Sequence, residues 1–168
     1  MDILKTAGDW ARNETLASAL FVLFGAAFLA ASLGFWQMGK TDVARGYVMP
    51  MLVAGVLLVA LGVGLVVSNG GRISAFEAAY AASASDAVAA EIARADQTLA
   101  GYRTAVFQAF PTIIAVCAIL IPFLAGPLWR ASLVTAIAML TVIMLVDTGA
   151  IARLEAYREQ LALAARSG

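Results

Sequence analysis

Apolar positions along this chain fall into four long runs, about 16–36, 47–67, 105–124 and 129–148, with short polar breaks between them. Each run is long enough to cross a bilayer, which takes roughly 20 residues at about 1.5 Å of rise. The third and fourth runs meet at the tight turn Ala125-Gly126-Pro127. Away from that turn the pattern on both sides becomes amphipathic. Val88, Ile92, Ala95, Leu99, Tyr102 and Val106 alternate steps of four and three, the seam of a coiled coil rather than a broad apolar face. Glu91, Arg94, Asp96 and Arg103 lie off this seam. Past the fourth run, Ile151, Leu154, Arg158 and Leu161 form a second stripe. A hairpin folded at Gly126-Pro127 sets Tyr102 against Ile151, Leu99 against Leu154, Ala95 beside Arg158, and Ile92 against Leu161. The pattern predicts an all-α polytopic membrane protein with four transmembrane helices. Spans three and four continue as an antiparallel two-helix stalk, and residues 1–168 form one membrane domain. Its cytoplasmic helical part covers 72–104 and 149–165.

Shorter signals fill in the remainder. Ile3, Leu4, Ala7, Trp10 and Ala11 share a helical face, which fits either a short interfacial helix over Met1–Asn13 or a frayed terminus. Small residues recur every fourth position at Ala26, Ala30 and Gly34, and again at Ala60 and Gly64, a spacing that lets helices approach closely in lipid. Thr41 or Asp42 can cap the second span. Pro50 falls in that span's first turn, where a missing N–H does little harm. Ser68-Asn69-Gly70-Gly71 reads as a helix end. The capping-box pattern Ser74-x-x-Glu77 predicts a separate short helix over Ala75–Ala82. Ser83-Ala84-Ser85-Asp86 breaks that helix and caps the next. Pro111 predicts a kink early in span three.

Charge sets the orientation. Four spans put both termini and the 68–104 segment on one side. That side carries Lys5, Arg12, Arg72, Arg94, Arg103, Arg153, Arg158 and Arg166; the other carries Lys40, Arg45 and Arg130. The positive-inside rule makes the richer side cytoplasmic, with Trp36 and Trp129 at the outer interface and Trp10 at the inner one. The first apolar run is longer than a signal-peptide core, and no cationic segment precedes it, so it reads as a retained span. Composition agrees: 62% of residues are hydrophobic and 13% charged, against about 45–50% and 25% in soluble domains. The formal net charge is zero, so no strong field draws the chain to nucleic acid.

Candidate chemistry is sparse. There is no histidine, and Cys117 is the one cysteine, so neither a disulfide within the chain nor a cysteine metal cluster can form. No nucleophile has a matched base, and no phosphate loop or carboxylate cluster stands out. The expectation is a non-enzyme with no catalytic residue, no metal site and no cofactor. Asp147 is the one acid inside an apolar run, which makes it a functional candidate by cost alone. The hairpin register puts it level with Val106, a turn from Arg103 and close to Gln108. Asp147, Arg103 and Gln108 form either a proton- or cation-responsive site near the inner mouth of a helix bundle, or Asp147 sits at the interface, salt-bridged to Arg103 or hydrated.

The runs Gly34-Phe35-Trp36-Gln37-Met38-Gly39-Lys40-Thr41 and Pro50-Met51-Leu52-Val53-Ala54-Gly55, with Asp147 and Ala152-Arg153-Leu154-Glu155-Ala156-Tyr157, resemble a set of small, uncharacterised four-span bacterial inner-membrane proteins. The resemblance implies a multi-pass protein of the bacterial inner membrane and brings no activity with it. Two functions follow as expectations. One is a membrane scaffold or accessory subunit that self-associates, as a dimer in the first instance, and presents its stalk to a cytoplasmic or membrane protein partner. The other is a small transporter or channel gated at Asp147, Arg103 and Gln108.

Overall fold

The computed structural model describes residues 3–167; Met1 and Asp2 of the N-terminal segment lie outside it. The described chain is helical, without strands: α1 (Ile3–Met38), α2 (Asp42–Gly46), α3 (Val48–Ala82), α4 (Ala84–Thr104), a π-helical turn (Ala105–Ala109), α5 (Phe110–Leu120) and α6 (Pro127–Ser167). Four helical stretches are long and apolar enough to cross a membrane: Ile3–Met38, Asp42–Ala82, Ala84–Leu120 and Pro127–Arg166.

The most extensive helix contact joins α1 to α3, which run antiparallel. Their backbones touch. A Cβ at Gly25 would stand 2.8 Å from the Val59 amide nitrogen and 2.9 Å from the Gly55 carbonyl oxygen. A Cβ at Gly55 would stand 2.9 Å from the Gly25 carbonyl, and one at Gly62 would stand 3.0 Å from the Ser18 carbonyl. At the outer end the Ser32 hydroxyl donates to the Val48 carbonyl at 2.8 Å. The seam residues recur at every seventh position, Ala11, Ser18, Gly25 and Ser32 on α1 and Gly55, Gly62 and Asn69 on α3, and all are buried. The expected four-residue stripe lies beside this seam, not in it: Ala26, Ala30, Ala60 and Gly64 are exposed. One residue is about 100° of helix rotation, so Gly25 and Ala26 cannot face the same neighbour. α6 covers the pair through Phe21, Leu58 and Val146, with Phe24, Phe28 and Met139 packed around them.

Three expectations about helix ends change. First, α3 does not stop at Ser68-Asn69-Gly70-Gly71. It runs on to Ala82, and the segment 75–82 is its last two turns. Two interior glycines cost about 1 kcal/mol each. Burial of Asn69 in the seam, and of Phe76 and Tyr80 against the stalk core, favours continuing. Among the described glycines only Gly126 has positive φ, +114°, so Gly70 and Gly71 do not act as left-handed stops. The Ser74 hydroxyl donates to the Gly71 carbonyl at 3.1 Å, a bond inside the helix rather than a cap. Second, α1 is unbroken from Ile3, so its N-terminal turns are neither frayed nor a separate interfacial helix. Third, the stalk therefore has four helices rather than two. Its core joins Ala7 of α1 to Val88, Ala95 and Leu99 of α4 and to Ile151, Leu154, Tyr157 and Leu161 of α6, with Phe76 and Tyr80 of α3 against them.

The kink expected from Pro111 takes a definite form. Proline lacks an N–H, and its ring collides with the carbonyl four residues back. The π-helical turn sits just before it, with the Phe110 amide donating to the Ala105 carbonyl. The extra residue in that turn relieves the collision. At the far end Gly126 turns the chain, and Arg130 Nε donates to the Leu124 carbonyl at 3.1 Å, closing the hairpin. α5 packs on α6 and leaves Ile113, Val116 and Ile119 exposed.

The seam and the open glycines respond oppositely to one methyl group. Gly25→Ala and Gly55→Ala should each destabilise the protein by about 1–3 kcal/mol, because the added Cβ meets backbone. A Cβ at Gly70 or Gly71 meets nothing within 4 Å, so Gly70→Ala and Gly71→Ala should each stabilise by about 0.5–1 kcal/mol. Denaturant titration of the purified protein checks both signs. A helix end at Gly70-Gly71 would reverse the second.

Candidate functional site

Where the four helices leave the apolar level, polar side chains gather. The centre is a closed ring of contacts drawn from three helices. Trp10 of α1 stacks on Tyr157 of α6, with centroids 4.8 Å apart and planes 12° apart. The Arg94 guanidinium of α4 lies 5.6 Å from the Trp10 ring centroid. Glu91 accepts from Arg94 Nε at 2.8 Å and from the Tyr157 hydroxyl at 3.4 Å. The stack is worth about 0.5–1.5 kcal/mol beyond the area it buries, and the cation over the indole adds to it. Trp10 is thus a packed stalk anchor and not the free interfacial belt residue that the sequence suggests. Trp36 and Trp129, at the hairpin end, are exposed.

A second layer lies one turn nearer the membrane. Arg153 Nε donates to Glu14 Oε2 at 3.2 Å and ties α6 to α1. Gly149 leaves room for that guanidinium to lie back along α6, since a Cβ there would come within 3.0 Å of Arg153 Nη1. Beside this pair sit the side chains of Asn69, Arg72 and Tyr102. Asn69, 2% exposed, is the polar end of the seven-residue seam. Burial, followed by the charges of Asp147 and Glu14, raises the Tyr102 phenol above its ordinary value. The hydrogen bond from Arg94 to Glu91 holds the guanidinium more firmly protonated, against the opposing effect of burial.

The structure brings the seam residues together. Leu99, Ile151, Leu154 and Leu161 lie in the buried stalk core, and Ile92 and Tyr102 pack against it. It does not bring Asp147, Arg103 and Gln108 together. Arg103 Nη2 donates to Glu155 Oε1 at 2.6 Å, not to Asp147. Gln108 is exposed. Asp147 is half-buried, and no ion pair joins it to Arg103 among the described residues. Arg158 meets Asp96 through two hydrogen bonds, 2.9 and 3.2 Å, over a buried Ala95. Both of these stalk ion pairs are solvent-exposed, so each adds little to stability. Sequence reading passed over Trp10, Glu14, Glu91 and Asn69. The seven-residue spacing of small residues, ending on Asn69, was the signal that could have pointed to them.

Comparison of the chain with known protein families, with curated proteins and with solved structures gave no match in any of the three. Fold and junction therefore speak for themselves: the architecture is that of a multi-pass, all-helical membrane protein.

Tyr157 gives this layer a pH signature. Burial first, then the Glu91 carboxylate, pushes its phenol well above the ordinary value of 10.0. A raised folded-state value means stability that is fully present below pH 10 and is lost as pH climbs toward the folded value. Thermal unfolding followed from pH 8 upward should show a falling midpoint beyond about pH 10. Tyr157→Phe should flatten that fall while leaving the Trp10 stack in place. An equally steep fall in the variant would remove Tyr157 as its source.

Proposed function

We propose that the protein is a non-enzymatic scaffold or accessory subunit of the bacterial inner membrane, with both termini and the stalk in the cytoplasm. The observation that supports this reading is the unbroken passage of the apolar helices into one bundle with an apolar core of its own. Such a bundle cannot bend at the bilayer edge without opening that core, so it holds a surface at a fixed distance and angle from the membrane. Orientation rests on the excess of Lys and Arg on the stalk side. Self-association is supported by the outward small-residue stripes Ala26-Ala30-Gly34 and Ala60-Gly64, and by the lightly packed α5. The stalk offers a partner the outer α4–α6 face, edged by the Arg103–Glu155 and Arg158–Asp96 pairs. A conduit gated at Asp147 has less support, because Arg103 is engaged elsewhere and Gln108 faces outward.

Native mass spectrometry in mild detergent should find a dimer, and Ala30→Leu should shift it to monomer by crowding the outward stripe. Reversing the charges of Arg103 and Arg158 on the exposed face should strip co-purifying protein without unfolding the stalk. In a Cys117→Ser background, Ser85→Cys should react with a membrane-impermeant thiol reagent from the cytoplasmic side alone. Labelling from outside would overturn the orientation. Ion flux in proteoliposomes that responds to Asp147→Asn would favour the conduit.

A further inference from the structure

At the base of the stalk, α1, α3, α4 and α6 enclose a cavity of about 30 Å³. Trp10 and Glu14 of α1, Asn69 and Arg72 of α3, and Arg94 and Tyr102 of α4 form its polar wall. Buried polar groups are normally paired. Here Trp10 Nε1, Asn69 Nδ2 and Arg94 Nη1 are each buried without a hydrogen-bond partner. All three are donors, and they come from three different helices. No oxygen of the wall makes a hydrogen bond with these three nitrogens. Glu14 accepts from Arg153, and the Thr98 hydroxyl donates to the Arg94 carbonyl at 2.9 Å. The wall carries two guanidiniums, Arg72 and Arg94, against the single carboxylate of Glu14. Of the neighbouring acids, Glu91 is engaged with Arg94 and Tyr157, and Asp147 is not part of the wall.

We propose that this cavity is a binding site for one small inorganic anion of halide size. One water accepts two hydrogen bonds and leaves a third donor unmet, so two waters would have to be ordered together to meet all three. An anion accepts from all three donors, and a charged acceptor makes the stronger bond. A water needs about 10–15 Å³ of such space, so about 30 Å³ admits a monatomic ion and excludes phosphate or sulfate. Bound there, the ion links α1, α3 and α4 at the level where the stalk begins. Halide concentration then controls how firmly the stalk is seated on the spans.

The chain has three tryptophans, so Trp36→Phe with Trp129→Phe leaves Trp10 as the sole indole. Bromide titrated into this full-length protein against gluconate at constant ionic strength should quench Trp10 fluorescence saturably. It should also raise the thermal midpoint. Asn69→Leu and Arg72→Gln should each weaken the apparent bromide affinity at least about tenfold. Arg72 is exposed, so its variant reports even where loss of the buried Asn69 disturbs folding. Quenching that rises linearly with bromide, with no change in midpoint, means a cavity holding water only and overturns the proposal. A saturable response left unchanged by Arg72→Gln, or by both substitutions, overturns it equally.

Discussion

Everything in this molecule rests on how closely α1 and α3 approach. Lipid supplies no hydrophobic drive to bring two apolar helices together, so contact must come from packing and from bonds between the helices. Gly25 against Gly55, and Gly62 against Ser18, remove the side chains that would keep the backbones apart. A seven-residue repeat keeps the seam in register along both helices, as it does in coiled coils. That same repeat leads out of the apolar level to Ala11 and Asn69, both buried. The pair is therefore one object, continuous from its apolar part into its polar part.

The stalk follows from that continuity. Once α1 and α3 project side by side, Ala7 and Trp10 on one and Phe76 and Tyr80 on the other offer apolar surface to α4 and α6. The short α4 seam would be weak as an isolated pair with α6. In a bundle of four most of it is buried, with Ala95 wholly enclosed and Ile92 and Tyr102 packed against the core. Polar groups concentrate at the base, where the apolar runs of the helices end. There the Glu91–Arg94–Trp10–Tyr157 ring and the Glu14–Arg153 pair satisfy charges that would be costly a turn deeper.

Much of the architecture could be read from the chain. Four apolar runs, the turn at Gly126-Pro127 and the disturbance at Pro111 are local signals, and local physics sets them. The six residues of the α4–α6 seam could be read because a hairpin fixes which positions face each other. The errors came from treating local signals as final. Gly70-Gly71 looks like a stop only if nothing beyond it is worth burying, and Phe76 and Tyr80 are. Ala26-Ala30-Gly34 is a good packing motif that lost to Gly25, a quarter turn away, because the real partner demanded backbone contact. Arg103 was assigned to Asp147 by position along the hairpin, but its long side chain reaches Glu155, about two turns further along α6. The ring around Trp10 joins residues far apart in the chain, and no spacing rule links them.

The claim that one seam holds both the spans and the stalk has a direct test. In a Cys117→Ser chain, cysteines at Ala11 and Asn69 sit one seven-residue step beyond Ser18 and Gly62, on the stalk side of the bilayer. Mild oxidation in native membranes should join them rapidly, within one chain, without loss of folded protein. A pair that stays reduced while both thiols react freely with an aqueous reagent would mean the seam ends at the membrane surface. In that case α1 and α3 part company before the stalk begins.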